Sequence, residues 1–307
     1  MSTSPSETVD RVIENFNGGL PTSRDLVPSI IFTVALGLTL PMLIYRLSSR
    51  KHRSRILGNA VMFFILRTAA MIMRAYMSRH EFSESTLIAE LVLTSISYLF
   101  LINSLVDLWE KHETQKHDEQ IEGQFGLVNE KTVHLQKKNR WVHYAAWFLR
   151  GALIASLASA IAAGAILARQ FDDGQKATTI RNLVKASYIL SLATTAVSII
   201  GVLVTHFTNH RSKRNTGFLL LYSIPLLIVG IYRVVEVFTG YRATTRQLVA
   251  FWVAMVLFEL IALCILLSIS IPKWFGDFKV KHAMHHDEEK RRESMNTMTT
   301  GNGTARY

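Results

Sequence analysis

A lone cysteine, Cys264, excludes an intrachain disulfide and any metal centre built on cysteines. Zinc-protease, nucleophile-elbow, phosphate-loop and Gly-rich dinucleotide motifs are all missing. No apolar run contains the paired His/Asp/Glu or Ser/His set that an intramembrane hydrolase needs. The chain is therefore expected to be no enzyme and to carry no cofactor and no metal. A net charge of +11 would raise nucleic-acid binding, but no aromatic-interleaved basic groove accompanies it, so no nucleic-acid partner is expected. No cleavable signal peptide is expected either, because the first apolar run starts near Leu26 and is long enough to cross a membrane.

What the chain has is apolar sequence in blocks. Hydrophobic residues make up 49% of the 307 and mean hydropathy is +0.22, although both ends and one long internal segment are polar. Runs of about twenty apolar residues match a hydrocarbon core about 30 Å thick at about 1.5 Å of rise per residue. They predict an all-α polytopic membrane bundle of seven spans, at 26–46, 56–77, 85–108, 142–168, 181–207, 217–238 and 248–271. Residues 26–272 form the membrane domain. Residues 1–25 precede it as a polar segment, in which Ser4 to Glu7 caps a short amphipathic helix carrying Val9, Val12, Ile13 and Phe16. Residues 273–307 follow as a largely disordered tail that opens on a basic amphipathic stretch, KWFGDFKVK.

Loop charge gives the direction. Alternate connecting segments, beginning with 46–55, hold 21 Lys and Arg, whereas the opposite set holds 7. Under the positive-inside rule the N-terminus lies outside and the C-terminus in the cytosol of a multi-pass protein of the plasma membrane or an endomembrane. Segment 110–140 is the one sizeable loop, expected to be cytosolic and partly helical or disordered. Trp109, Trp141, Trp147 and Trp252 near span ends fit the membrane interface.

The spans carry charges at Arg67, Arg74, Glu90, Arg150, Lys185, Arg233, Glu236 and Glu259, among others nearer their ends. Each costs about 2.5–3.5 kcal/mol if left bare at the centre of a helix. Counting rise per residue places Arg67 and Glu259 at matched mid-depth, which predicts an ion pair that holds the bundle or switches it. Glu90, Lys185 and Arg233 lie about 7.5 Å below the outer ends of their spans, with Arg74 and Glu236 further out, as an outer polar constellation. Arg233 and Glu236 also form an i,i+3 pair that fits a purely structural salt bridge. Polar side chains recur at helical spacing at Glu90, Thr94, Ser97 and Ser104, and at Ser187, Ser191, Thr194, Ser198 and Thr205. These fit bonds to nearby backbone or a polar cavity. Span 4 pairs Gly151 with Ala155 and Ala160 with Gly164, and reads as a packing centre. Pro225 is expected to kink span 6 and free a backbone carbonyl.

The tail histidines His282, His285 and His286 have a spacing that suits zinc but are better read as a solvated segment. The Asn302-Gly303-Thr304 triplet falls on the cytosolic side and should carry no glycan. Span 3 ends Asp107-Leu108-Trp109 and span 7 contains no Lys, so neither a rhodopsin-family receptor nor a retinal Schiff base is indicated.

The stretch Tyr232-Arg233-Val234-Val235-Glu236-Val237-Phe238-Thr239-Gly240 resembles the Y-R-x-x-E-x-x-x-G pattern of the fungal RTA-like family, the lipid-translocating exporters. The basic first loop, followed by a span with a central Arg, is also similar to a related group of fungal seven-span proteins. The next span, FWVAMVLFEL, departs from the exporter pattern, which has an Asp ahead of a Pro-Met pair. The resemblance implies seven spans and a link to toxin resistance and sphingoid-base export. The expectation is thus a protein that binds or translocates an amphiphilic, lipid-like molecule, with Arg74, Glu90, Lys185, Tyr232, Arg233 and Glu236 as ligand-binding residues. The alternatives are a receptor signalling to a cytosolic partner through segment 110–140, and a non-transporting membrane scaffold.

Overall fold

In the computed structural model, residues 20–49, 54–81, 83–122, 130–169, 174–209, 213–239 and 245–275 are described. The amphipathic segment around Val9 to Phe16, Gly240, the tail histidines and the Asn302 triplet lie outside the described residues. Among the described residues there is no strand, and seven helices are long and apolar enough to cross a membrane.

The chain enters through a 3₁₀ turn, Ser23–Asp25, and continues directly into α1, Leu26–Ser48. The other spans are α2, Ile56–Met77; α3, Glu84–Glu122; α4, Glu130–Arg169; α5, Gly174–Asn209; and α6, Lys213–Thr239. The last span, α7, is one continuous run of three segments: Thr245–Ala250, a π-helical stretch Phe251–Leu257, and Phe258–Ser268. The chain then turns through extended Ile269 and Ser270 into a single helical turn, α8, Ile271–Trp274, with Pro272 in its opening positions. The N-terminal ends of α1, α3, α5 and α7 share one face of the bundle, called here the N-terminal face.

Several helices outrun their apolar runs. At 39 residues, α3 is about 58 Å long, nearly twice a hydrocarbon core. Its extension, WEKHETQKHDEQIE, has neither Gly nor Pro and is rich in good helix formers, so it stays helical past the apolar boundary. Much of the expected cytosolic loop is accordingly helix.

The packing is sequential, α1 on α2 and so on around to α7, with α3 also touching α5, α6 and α7. α3 and α6 are therefore central. On α6 the buried residues Leu219, Tyr222, Leu226, Val229, Arg233 and Val237 recur every three or four positions and mark its inward face. α1 is peripheral. Its buried residues are Ser29, Leu36, Leu43 and Arg46, and the first three form a stripe of period seven. Val27, Ile30, Ile31, Val34 and Leu38 face outward, as lipid-facing residues do.

Some expectations change. Trp141 and Trp147 are 75% and 72% exposed, as interface residues would be, but Trp109 and Trp252 are buried inside the bundle. In α4 the small residues divide between two surfaces. A Cβ on Gly164 would stand 2.4 Å from Val92 Cγ2, so the backbones of α3 and α4 approach closely there. Gly151 has nothing within 4 Å and faces outward with Ala155, so that pair is no packing centre within the chain. Phe275, expected in a surface-lying segment, is buried against Phe218 and His112, and Trp274 stacks under the Arg214 guanidinium at 3.7 Å.

Candidate functional site

Three arginines, Arg67, Arg74 and Arg233, are among the largest fully buried side chains. The first and third meet at Glu259. Glu259 Oε1 accepts from Arg233 NH2 at 3.0 Å, and Glu259 Oε2 lies 2.9 Å from Arg67 Nε. One carboxylate thus faces two guanidiniums drawn from α2 and α6.

The two cations are held differently. Arg233 also donates to the backbone carbonyls of Thr94 and Ser95 on α3, at 2.9 and 3.2 Å, and lies over the Tyr98 ring at 4.4 Å. Tyr98 in turn donates to the Leu226 carbonyl, two turns before Arg233 on α6. Gly230 leaves room for this contact, since a Cβ there would sit 3.0 Å from the Tyr98 hydroxyl. Arg67 has no such network. Its ion pair to Glu259 is close but misaligned with its N–H, and Nε, NH1 and NH2 all make no hydrogen bond, at 1% exposure. A buried guanidinium has five N–H donors, and leaving them unmet is costly and uncommon.

A second cluster lies nearer the N-terminal face. Arg74 NH1 contacts Glu90 Oε1 at 3.3 Å, and Arg74 Nε lies 3.4 Å from Asp25 Oδ1. Asp25 is fully buried. Its Oδ2 accepts from the backbone N–H and hydroxyl of Thr22, and its Oδ1 accepts from Trp252 Nε1 at 3.1 Å. Arg74 also lies 4.7 Å from the Phe251 ring centroid. Asp25 therefore ties the N-terminal end of α1 to both α2 and α7. Thr94 links the two clusters, because its hydroxyl donates to Glu90 while its carbonyl accepts from Arg233.

Of the residues expected to share an outer constellation, the structure brings Arg74 and Glu90 together and sends Arg233 to Glu259. The i,i+3 partnership with Glu236 is not the one Arg233 uses. Glu236 is buried at 5% exposure, and Tyr232 packs half-buried at the edge of the core. Lys185 stands apart from both clusters, over the Phe238 ring at 4.7 Å. The hydroxyl stripes are mostly turned to backbone. Ser97, Ser104, Ser191, Thr194, Ser198 and Thr205 each donate to a carbonyl three or four residues back, and Ser156 pairs with Ser187 across α4 and α5.

Arg150 belongs to the opposite end. It bridges Asp107 at 2.6 Å and contacts Glu110, which His143 also meets at 2.8 Å, while Asn59 donates to Asp107. This half-exposed set joins α2, α3 and α4. Asp25 escaped the sequence reading because it sits in the polar lead-in to span 1. The available signal was the Thr22-x-x-Asp25 capping pattern at the membrane edge.

No family model and no curated protein matches this chain.

Proposed function

We propose that this seven-span integral membrane protein binds or translocates an amphiphilic, lipid-like molecule, and that it takes the polar head between the two buried charge clusters. The observation that carries this reading is Arg67, a mid-bundle cation whose Nε meets Glu259 at 2.9 Å without an aligned hydrogen bond and whose NH1 and NH2 make none. A purely structural arginine would be bonded as Arg233 is, through both terminal nitrogens with only Nε left without a hydrogen bond, and intramembrane ionisable groups mark ligand or ion paths by default. Glu90 Oε2 is likewise a buried acceptor without a donor. The resemblance of Tyr232, Arg233 and Glu236 to the lipid-exporter stretch supports the same reading. Loop charge supports an outside N-terminus, which makes the Asp25 latch the extracytoplasmic one.

In this reading the structure corresponds to a closed state, and opening needs α1 to release. α1 is held by a narrow apolar stripe and by Asp25, so it is the element that moves at least cost. The test is thermal unfolding of detergent-purified protein with single-chain amphiphiles carrying anionic, hydroxylated or amine heads, long-chain bases included. Saturable stabilisation by one head class is the expected result. Uniform indifference to all of them would refute the reading.

The scaffold alternative draws on the hydroxyls bonded to their own helices and on the pairing of Arg74 with Glu90 and Asp25. It requires Arg67 to be a net stabiliser, which the misaligned pair does not favour.

A further inference from the structure

Lys185 has a different setting from the paired charges of the interior. It is half-buried on α5, and its ammonium rests on Phe238, which is 54% exposed on the outside of the bundle in the last turn of α6. Within the spans, Arg67, Arg74, Glu90, Arg150, Arg233 and Glu259 all meet an opposite charge, whereas the contact recorded for Lys185 is a ring. Arg181 stands one turn towards the N-terminal face, at i−4, and is exposed on the same side of α5.

The depth is informative. Lys185 lies seven residues into the apolar part of α5 at Thr178, about 10 Å by helical rise. Its side chain reaches up to a ring at the very end of α6, the level at which long cationic side chains meet lipid headgroups. Below the cation, Ile189 on α5 and Ile231 and Val235 on α6 are 46%, 47% and 53% exposed. The seam between the two helices therefore offers a cationic head site at interfacial depth above an apolar track of acyl-chain character.

The geometry points to a phosphate-bearing anionic lipid bound on the outside of the bundle at the α5/α6 seam. Its phosphate sits between Lys185 and Arg181, Phe238 orients the ammonium, and one chain lies along Ile189, Ile231 and Val235. This site is separate from the interior clusters and stands or falls apart from the function proposed above. The ring's negative face pre-positions the ammonium without neutralising it, so the charge stays available to an anion.

The experiment is native mass spectrometry of the full chain released from nanodiscs containing equal phosphatidylglycerol and phosphatidylcholine. Wild type should retain phosphatidylglycerol over phosphatidylcholine by about thirtyfold, the preference that two interfacial cations provide. The K185Q/R181Q double variant should lose that preference and keep its fold, since both positions are at the surface. Addition of inorganic phosphate at millimolar concentration should not displace the lipid. Equal retention of the two lipids by wild type overturns the proposal without needing any variant. Unchanged preference in K185Q/R181Q overturns the residue assignment, and displacement by free phosphate overturns the lipid as the occupant. Interior binding is read separately, by whether R67M changes amphiphile stabilisation while the phosphatidylglycerol preference stays intact.

Discussion

Arg67 and Arg233 show how two identical side chains on one carboxylate acquire different roles. Arg233 has Glu259, two backbone carbonyls and an aromatic face, so its buried charge is compensated on several sides. Removing Glu259 strips both guanidiniums of their counter-charge. Glu259→Gln should destabilise the protein by about 3–5 kcal/mol, the penalty for breaking a buried pair, measurable as a lowered unfolding midpoint. Arg233→Met should cost a similar amount and also free two α3 carbonyls. The depth-matched pair of Arg67 and Glu259 was readable from residue counts, because hydropathy fixes where a span begins and rise per residue does the rest. That Arg233 would join them was not readable. Its depth lies closer to Glu236, and which carboxylate it reaches depends on how α6 is rotated against α3 and α7. Asp25 was illegible for a different reason: its burial comes from Trp252 and Arg74, 227 and 49 positions away in the chain, and the local Thr22-x-x-Asp25 pattern announces a helix start but not a buried charge.

At the scale of the element, the close approach of α3 and α4 depends on Gly164. Gly164→Leu should destabilise by about 1–3 kcal/mol through overpacking against Val92, and Val92→Ala should recover part of the loss. Gly151→Leu faces open space and should be silent in the same unfolding assay. α1 offers a test of the latch. Asp25→Asn keeps the shape of the side chain but removes the charge opposite Arg74. Amide hydrogen exchange over residues 26–31 should accelerate while exchange in α3 and α6 stays unchanged, because only the N-terminal end of α1 loses its tie. Acceleration throughout the bundle would contradict a local latch. The spans themselves were legible from apolar run length, and span 2 agrees to the residue. The helical extensions of α3 and α4 were not, since hydropathy reports the membrane and says nothing of helices that continue beyond it. The π-helical stretch Phe251–Leu257 has no sequence mark either, although it ends two residues before Glu259.

For the whole molecule, charge asymmetry and buried charge belong to one scheme. Asp25, Arg74 and Glu90 lie towards the N-terminal face and Arg150 with Asp107 and Glu110 towards the opposite one; under the proposed outside N-terminus the first set is the extracytoplasmic one. With Cys264→Ala as a cysteine-free background, a cysteine at His80 should react with an impermeant maleimide on intact cells, and one at Ser294 should react only after permeabilisation. The reverse pattern would invert the bundle and move the latch to the cytosol. Within the correct orientation, the central claim is that Arg67 is held ready for a guest and contributes little to holding the fold. The most direct measurement is thermal unfolding of wild type and Arg67→Met, each with and without the stabilising amphiphile. Arg67→Met leaves Glu259 paired with Arg233, so its basal stability should stay within about 1 kcal/mol of wild type while the amphiphile response disappears. A basal loss of about 3–5 kcal/mol with the response intact would make Arg67 a structural strut and contradict the account.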